Sequence, residues 1–162
     1  NNYLVNEKRE EVCKKIRIYW DITNNCNLNC IHCSVNAQKN KVTAEKEKVI
    51  KIAESIARVN PYQVVISGGE PLFSPWFEEA VNVLKKNSNI KMTLMTNATL
   101  IGKKEAEYIV KNFESVDISF DGYDEKSTGM IRGKGIFEKT FRGLMNLKKL
   151  KMMFILILMK KI

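Results

Sequence analysis

Arg17-Ile18-Tyr19-Trp20-Asp21-Ile22-Thr23-Asn24-Asn25-Cys26-Asn27-Leu28-Asn29-Cys30-Ile31-His32-Cys33 couples a β-branched, aromatic run directly to three closely spaced thiols. The run from Arg17 to Thr23 has the composition of a strand, and the thiols follow at its carboxyl end. Thiolates are the usual protein ligands of a cubane iron-sulfur cluster, which has four irons to satisfy. Only Cys26, Cys30 and Cys33 are offered here, so the spacing points to a [4Fe-4S] cluster whose fourth iron stays open to a small molecule. The same logic separates catalytic metal sites from closed structural ones.

Beyond this loop the pattern alternates strand and helix. Val49, Ile52, Ala53 and Ile56 form one apolar stripe over residues 43–58, with Thr43 as the expected N-cap. Pro61 ends that helix, and residues 62–67 form an apolar strand. Ser74-Pro75 is a helix start, with Trp76, Phe77, Ala80, Val81 and Leu84 as the buried face. Residues 90–96 predict a third strand, 102–112 a helix, 116–120 a fourth strand and 152–158 a fifth. Phe137, Phe141, Leu144 and Leu147 mark a helix between the last two strands. Short connections between alternating elements imply α/β architecture with parallel strands and right-handed crossovers, and a long run of them resembles a barrel.

In such architectures chemistry is carried at the carboxyl ends of strands. The polar motifs fall there: the cysteine loop after strand one, Gly68-Gly69-Glu70-Pro71 after strand two, Thr96-Asn97-Ala98-Thr99 after strand three, and Ser119-Phe120-Asp121-Gly122 closing strand four. Strand four alternates Val116, Ile118 and Phe120 with Asp117, Ser119 and Asp121, which predicts one face under the helices and a polar face pointing inward.

Together the triad, Gly68-Gly69-Glu70-Pro71 and Ser119-Phe120-Asp121-Gly122 resemble the radical SAM enzymes, in particular the SPASM-type branch that modifies peptides or builds cofactors from them. The resemblance runs from about Arg17 onward. It implies a [4Fe-4S] cluster held by Cys26, Cys30 and Cys33, with S-adenosylmethionine at its open iron. An electron from the cluster would split the sulfonium to a 5'-deoxyadenosyl radical, which abstracts hydrogen from a peptide or small-molecule substrate. A donor such as a flavodoxin or ferredoxin would supply the electron. Family cores are partial TIM-like (β/α) barrels of six units, and this chain reaches about the fifth strand. It is therefore expected to be a truncated core, with residues 1–16 as an extension and 17–162 as an incomplete domain.

The resemblance also implies roles for single residues. The backbone at Gly68 and Gly69 would hold the amino end of the cofactor, with Glu70 ordering the turn ahead of Pro71 or meeting the ammonium. Ser119 and Asn97 are candidate cofactor contacts, although Ala98 stands where the family often has glycine. Asp121 is either a contact or a turn residue before Gly122. Arg132, in Ile131-Arg132-Gly133-Lys134-Gly135, would pair with the cofactor carboxylate, for which a planar fork is suited, or else is a solvated loop residue. His32 is expected to pack beside the cluster, where the family has an aromatic residue.

Composition narrows the remaining classes. The chain has 162 residues, 44% of them apolar, enough for one domain with a core. Its longest apolar run, residues 152–159, falls far short of the roughly 20 residues of a membrane span, and residues 1–8 show no signal-peptide pattern. A cytoplasmic location is the expectation. Clustered thiols agree with a reducing compartment, and Cys13 is expected to be an ordinary free thiol. The net charge of +9 is mostly lysine spread along helices with no aromatic-basic stripe, which argues against nucleic acid. Two competing readings remain: a cluster-binding segment without turnover, and a zinc module using His32 as fourth ligand.

Overall fold

Among the described residues, 11–12, 16–37, 43–86 and 90–157, the computed structural model alternates strands and helices. The elements are β1 (Arg17–Thr23), α1 (Lys46–Val59), β2 (Gln63–Gly68), α2 (Phe77–Lys86), β3 (Lys91–Thr96), α3 (Lys103–Asn112), β4 (Ser115–Ser119), α4 (Glu125–Arg132), α5 (Ile136–Lys149) and β5 (Phe154–Ile157), with a 3-10 turn at Pro71–Phe73. Cys13 and most of residues 1–16 lie outside the described residues, as does the end of the expected fifth strand.

The strands pair in parallel in the order β1-β2-β3-β4-β5. Crossovers of one hand that always step to the next position lay every helix on the same face of the sheet. A doubly wound sheet would reverse its strand order partway. The result is the wall of a partial barrel, open rather than closed, as the alternation implied.

The helix face of the sheet is the core. Trp20 and Ile22, Val64 and Ile66, Met92 and Leu94, and Val116 and Ile118 alternate along the strands and meet Ala53, Ile56, Ala80, Val81, Leu84, Ala106, Ile109, Leu144 and Leu147. Full burial of side chains such as Ile66, Leu94 and Leu147 contributes about 1.5–3 kcal/mol each. The opposite face carries the polar residues of the alternation, including Asp21, Ser67, Asp117 and Ser119. Val116 and Ile118 are buried while Asp117 and Ser119 are half-exposed, as the β4 pattern predicted. Burial raises the Asp117 carboxyl pKa, opposed by the charge of Arg17.

Three local readings are corrected. Thr43 does not cap α1, which begins at Lys46; its hydroxyl instead accepts Asn25 Nδ2 at 2.7 Å. The second helix begins at Phe77, and Ser74 Oγ accepts the Trp76 amide at 3.4 Å in the preceding turn. The segment through Ile131 and Arg132 is the end of a helix, α4, and not a loop. That helix has no clear apolar period; its signal was Asp124, whose Oδ1 accepts the Ser127 amide at 2.7 Å, an N-cap arrangement.

Candidate functional site

The register of β1 on β2 slips between Asp21 and Thr23. Such a bulge bends the strand locally, and here it aims the chain out of the sheet into the cysteine loop. Gly69 then donates its amide to Thr23 O at 2.7 Å and Glu70 donates to Asn25 O at 2.9 Å. Two backbone bonds thus tie the turn after β2 to the segment that carries Cys26.

Close approach explains both glycines. Gly68 has φ +133°, and a Cβ there would stand 2.2 Å from Thr23 O; a Cβ on Gly69 would stand 2.3 Å from Asn25 O. What needs the space is the neighbouring backbone, and the same two residues also line the cavity at the cysteines.

Glu70 faces inward. Its side chain is completely buried, Oε1 accepts from Thr96 Oγ1 at 2.8 Å and from the Leu72 amide at 3.2 Å, and Oε2 accepts the Asn97 amide at 2.9 Å. Burial pushes its pKa up to about 6, held there by the opposing hydrogen bonds from Asn97, Thr96 and Leu72. Neither Glu70 nor buried Pro71 lines the cavity. Of the two roles expected for Glu70, ordering the turn is the one its geometry performs.

Asn97 is buried at the carboxyl end of β3, where its Nδ2 donates to Asn27 Oδ1 at 3.0 Å and to Cys26 Sγ at 3.8 Å. Its Oδ1 accepts from the Thr99 amide at 2.9 Å. Ala98 adopts the left-handed conformation, φ 58°, without needing glycine. Asn97 therefore braces the cysteine loop while lining the cavity.

At the end of β4, Ser119 lines the cavity. Asp121 is not a turn residue: its wholly buried carboxylate oxygen Oδ2 lies 2.5 Å from Arg132 Nε and 3.1 Å from His32 Nε2. Arg132, the last residue of α4, is 8% exposed, so the solvated-loop alternative is excluded. Its Nη1 points at Cys30 Sγ, 3.9 Å away. The cysteine loop is also tied to α4 through the backbone, Ile31 N donating to Ile131 O at 3.0 Å.

Cys26, Cys30 and Cys33 are half-buried around a cavity of about 470 Å³, a size suited to a small molecule. Asp21, Ser67, Met95, Thr96 and Asn97 line it as well; of these, Asn97 alone is an expected cofactor contact, with Thr96 part of the same polar motif, and Asp21, Ser67 and Met95 are not expected there from the sequence. Burial raises the pKa of Cys26 and Cys30, and for Cys30 the charge of Arg132 opposes the shift. Three soft donors around a cavity, with N–H groups aimed at two of the sulfurs, suit a thiolate-held cluster. A single zinc ion needs its ligands to converge on one point, and among the described residues no three Cys, His, Asp or Glu side chains do so. His32 is instead engaged with Asp121, while its Nδ1 is buried without a hydrogen-bond partner.

Residues 20–161 match the Radical SAM superfamily. The mycofactocin maturase MftC of Mycobacterium tuberculosis is 30% identical over 134 residues, which are 82% of this chain and 34% of that protein. The chain thus spans about a third of the length of that relative. Among solved structures, anSMEcpe with bound AdoMet superposes with TM-score 0.74 at 24% identity, covering 86% of this chain and 42% of that one. Streptococcus suis SuiB bound to precursor peptide SuiA also gives 0.74, at 18% identity over 88% of this chain and 32% of that one. At these identities the superpositions establish the shared fold.

Proposed function

The chain belongs to the radical SAM superfamily, and from that premise we propose that it forms the initiating core of an enzyme that cleaves S-adenosylmethionine and abstracts hydrogen from a substrate. Cys26, Cys30 and Cys33 would hold the [4Fe-4S] cluster, which when bound supplies one electron to the sulfonium of S-adenosylmethionine, giving methionine and a 5'-deoxyadenosyl radical. The observation that carries this reading is the placement of all three thiols, from the end of β1, on one cavity with Gly68 and Gly69 from the end of β2, Asn97 from β3 and Ser119 from β4.

The cavity-lining backbone of Gly68 and Gly69, Ser119 and the inner wall at Asp21, Ser67 and Met95 are the groups available to orient the cofactor. Glu70 acts behind this surface by joining two of its loops, and Pro71 closes the turn. A peptide is the proposed substrate, by likeness to a maturase and to a fold neighbour solved with its precursor peptide. An acidic one-electron carrier such as a flavodoxin or ferredoxin is the proposed donor, since the chain carries +9 and opposite charge speeds encounter. No described helix is long and apolar enough to cross a membrane; a cytoplasmic setting is proposed, where thiols stay reduced.

The test is anaerobic reconstitution with iron and sulfide, then dithionite and S-adenosylmethionine, with chromatography for 5'-deoxyadenosine and Cys30→Ala as control. Product that depends on the intact triad supports the reading. A cluster without product leaves a cluster-binding core, and zinc without labile sulfide would sink both.

A further inference from the structure

We propose that Arg132, oriented by Asp121, is a positioning residue that sets the electron affinity of the cluster through Cys30. This rests on the cluster reading above and revises the expected pairing of Arg132 with the cofactor carboxylate. A guanidinium grips a carboxylate with two parallel N–H bonds. On Arg132 the Nε edge is already taken by Asp121 at 2.5 Å, and Nη1 is turned to Cys30 Sγ at 3.9 Å. Asp121 is fully enclosed and Arg132 nearly so, and removing either member of a buried pair leaves the other's charge uncompensated. Their geometry is therefore not free to reorganise around an incoming carboxylate.

The pair has direction. Its positive end is beside Cys30 and its negative end lies behind, where His32 Nε2 shares the same Asp121 oxygen at 3.1 Å. Cys26 receives two neutral donors, the Leu28 amide at 3.4 Å and Asn97 Nδ2 at 3.8 Å. Hydrogen bonds to cluster sulfurs and local net charge set iron-sulfur potentials. A permanent cation at one thiolate favours the state that carries the extra electron, which makes the cluster easier to reduce; the anion behind it works in the opposite sense. Holding the loop in place does not depend on this pair alone, because the Ile31–Ile131 backbone bond joins the same two segments.

The experiment is a redox titration of the reconstituted full chain, followed by electron paramagnetic resonance of the reduced cubane, on the wild type, Arg132→Gln, Arg132→Lys and Asp121→Asn. S-adenosylmethionine binding is measured in parallel by equilibrium dialysis. The midpoint is expected to move to a more negative potential in Arg132→Gln, to be partly restored in Arg132→Lys, and to move the other way in Asp121→Asn, with cofactor affinity of Arg132→Gln unchanged. Unmoved midpoints with weakened cofactor binding would overturn the proposal in favour of a carboxylate partner. Shifts of the same sign in Arg132→Gln and Asp121→Asn would overturn it in favour of general loosening. If Arg132→Gln assembles no cluster, the opposed shifts of the other two variants decide. Absence of any reducible cubane in the wild type would overturn the underlying cluster reading itself.

Discussion

The Glu70 carboxylate and the Asn97 backbone amide meet at 2.9 Å in the interior, joining the turn after β2 to the turn after β3. The other Glu70 oxygen receives Thr96 Oγ1 at 2.8 Å and the Leu72 amide at 3.2 Å. Because the β2 turn is also bonded to Thr23 and Asn25, one buried acid holds three strand ends in register around the cavity.

This acid makes stability depend on pH in a specific window. Its folded pKa is about 6 against an ordinary 4.5, so between those values the folded chain keeps a proton that the unfolded chain has lost. Stability then falls as pH rises through the window and stays level above it, by about 2 kcal/mol for this group. Glu70→Gln removes the slope, and its amide nitrogen must face a donor, which costs roughly 1–3 kcal/mol. Urea unfolding of the two proteins between pH 4 and 7 checks both effects; an unchanged slope would count against the assignment.

Gly69→Ala places a Cβ 2.3 Å from Asn25 O, and backbone rather than a flexible side chain must give way. The variant should lose about 1–3 kcal/mol and displace the segment that leads into Cys26. Iron and labile sulfide per chain after reconstitution should fall well below wild type, while far-ultraviolet circular dichroism at low temperature stays similar.

Gly143→Ala sets two effects against each other. Inside α5 alanine is favoured over glycine by about 1 kcal/mol, yet the new Cβ would stand 2.1 Å from Ala98 O. The contact is with backbone, one turn from where Thr140 Oγ1 donates to Asn97 O at 3.0 Å, so the helix must shift off the loop. A lower melting temperature is expected; a rise would show that α5 moves freely there.

Asn97→Ala deletes the bonds to Asn27 and Thr99 and the weaker Nδ2 contact to Cys26 Sγ, while leaving all three thiols in the chain. Stability should drop by about 1–2 kcal/mol, and the reconstituted cluster should bleach faster in air, followed by its visible absorbance. Equal bleaching rates would mean that the loop does not depend on this brace.

Much of the protein is legible in its residues because it depends on short-range pattern and intrinsic chemistry. Alternation on β4 separates the Val116–Ile118 face from Asp117 and Ser119, apolar stripes mark α1, α2, α3 and α5, and the thiol spacing marks the loop after β1. Each follows from the periods of strands and helices or from what sulfur binds. Tertiary structure alone decided that Glu70 turns inward to Thr96 and Asn97, that Thr43 pins Asn25 rather than capping a helix, and that Arg132 reaches Asp121 and Cys30. These partners lie far apart in the chain, and only the register of the parallel sheet brings their strand ends within hydrogen-bond range. The short polar helix α4 escaped notice for a related reason: its cap is local, but what holds Arg132 at its end is a buried carboxylate on a different element.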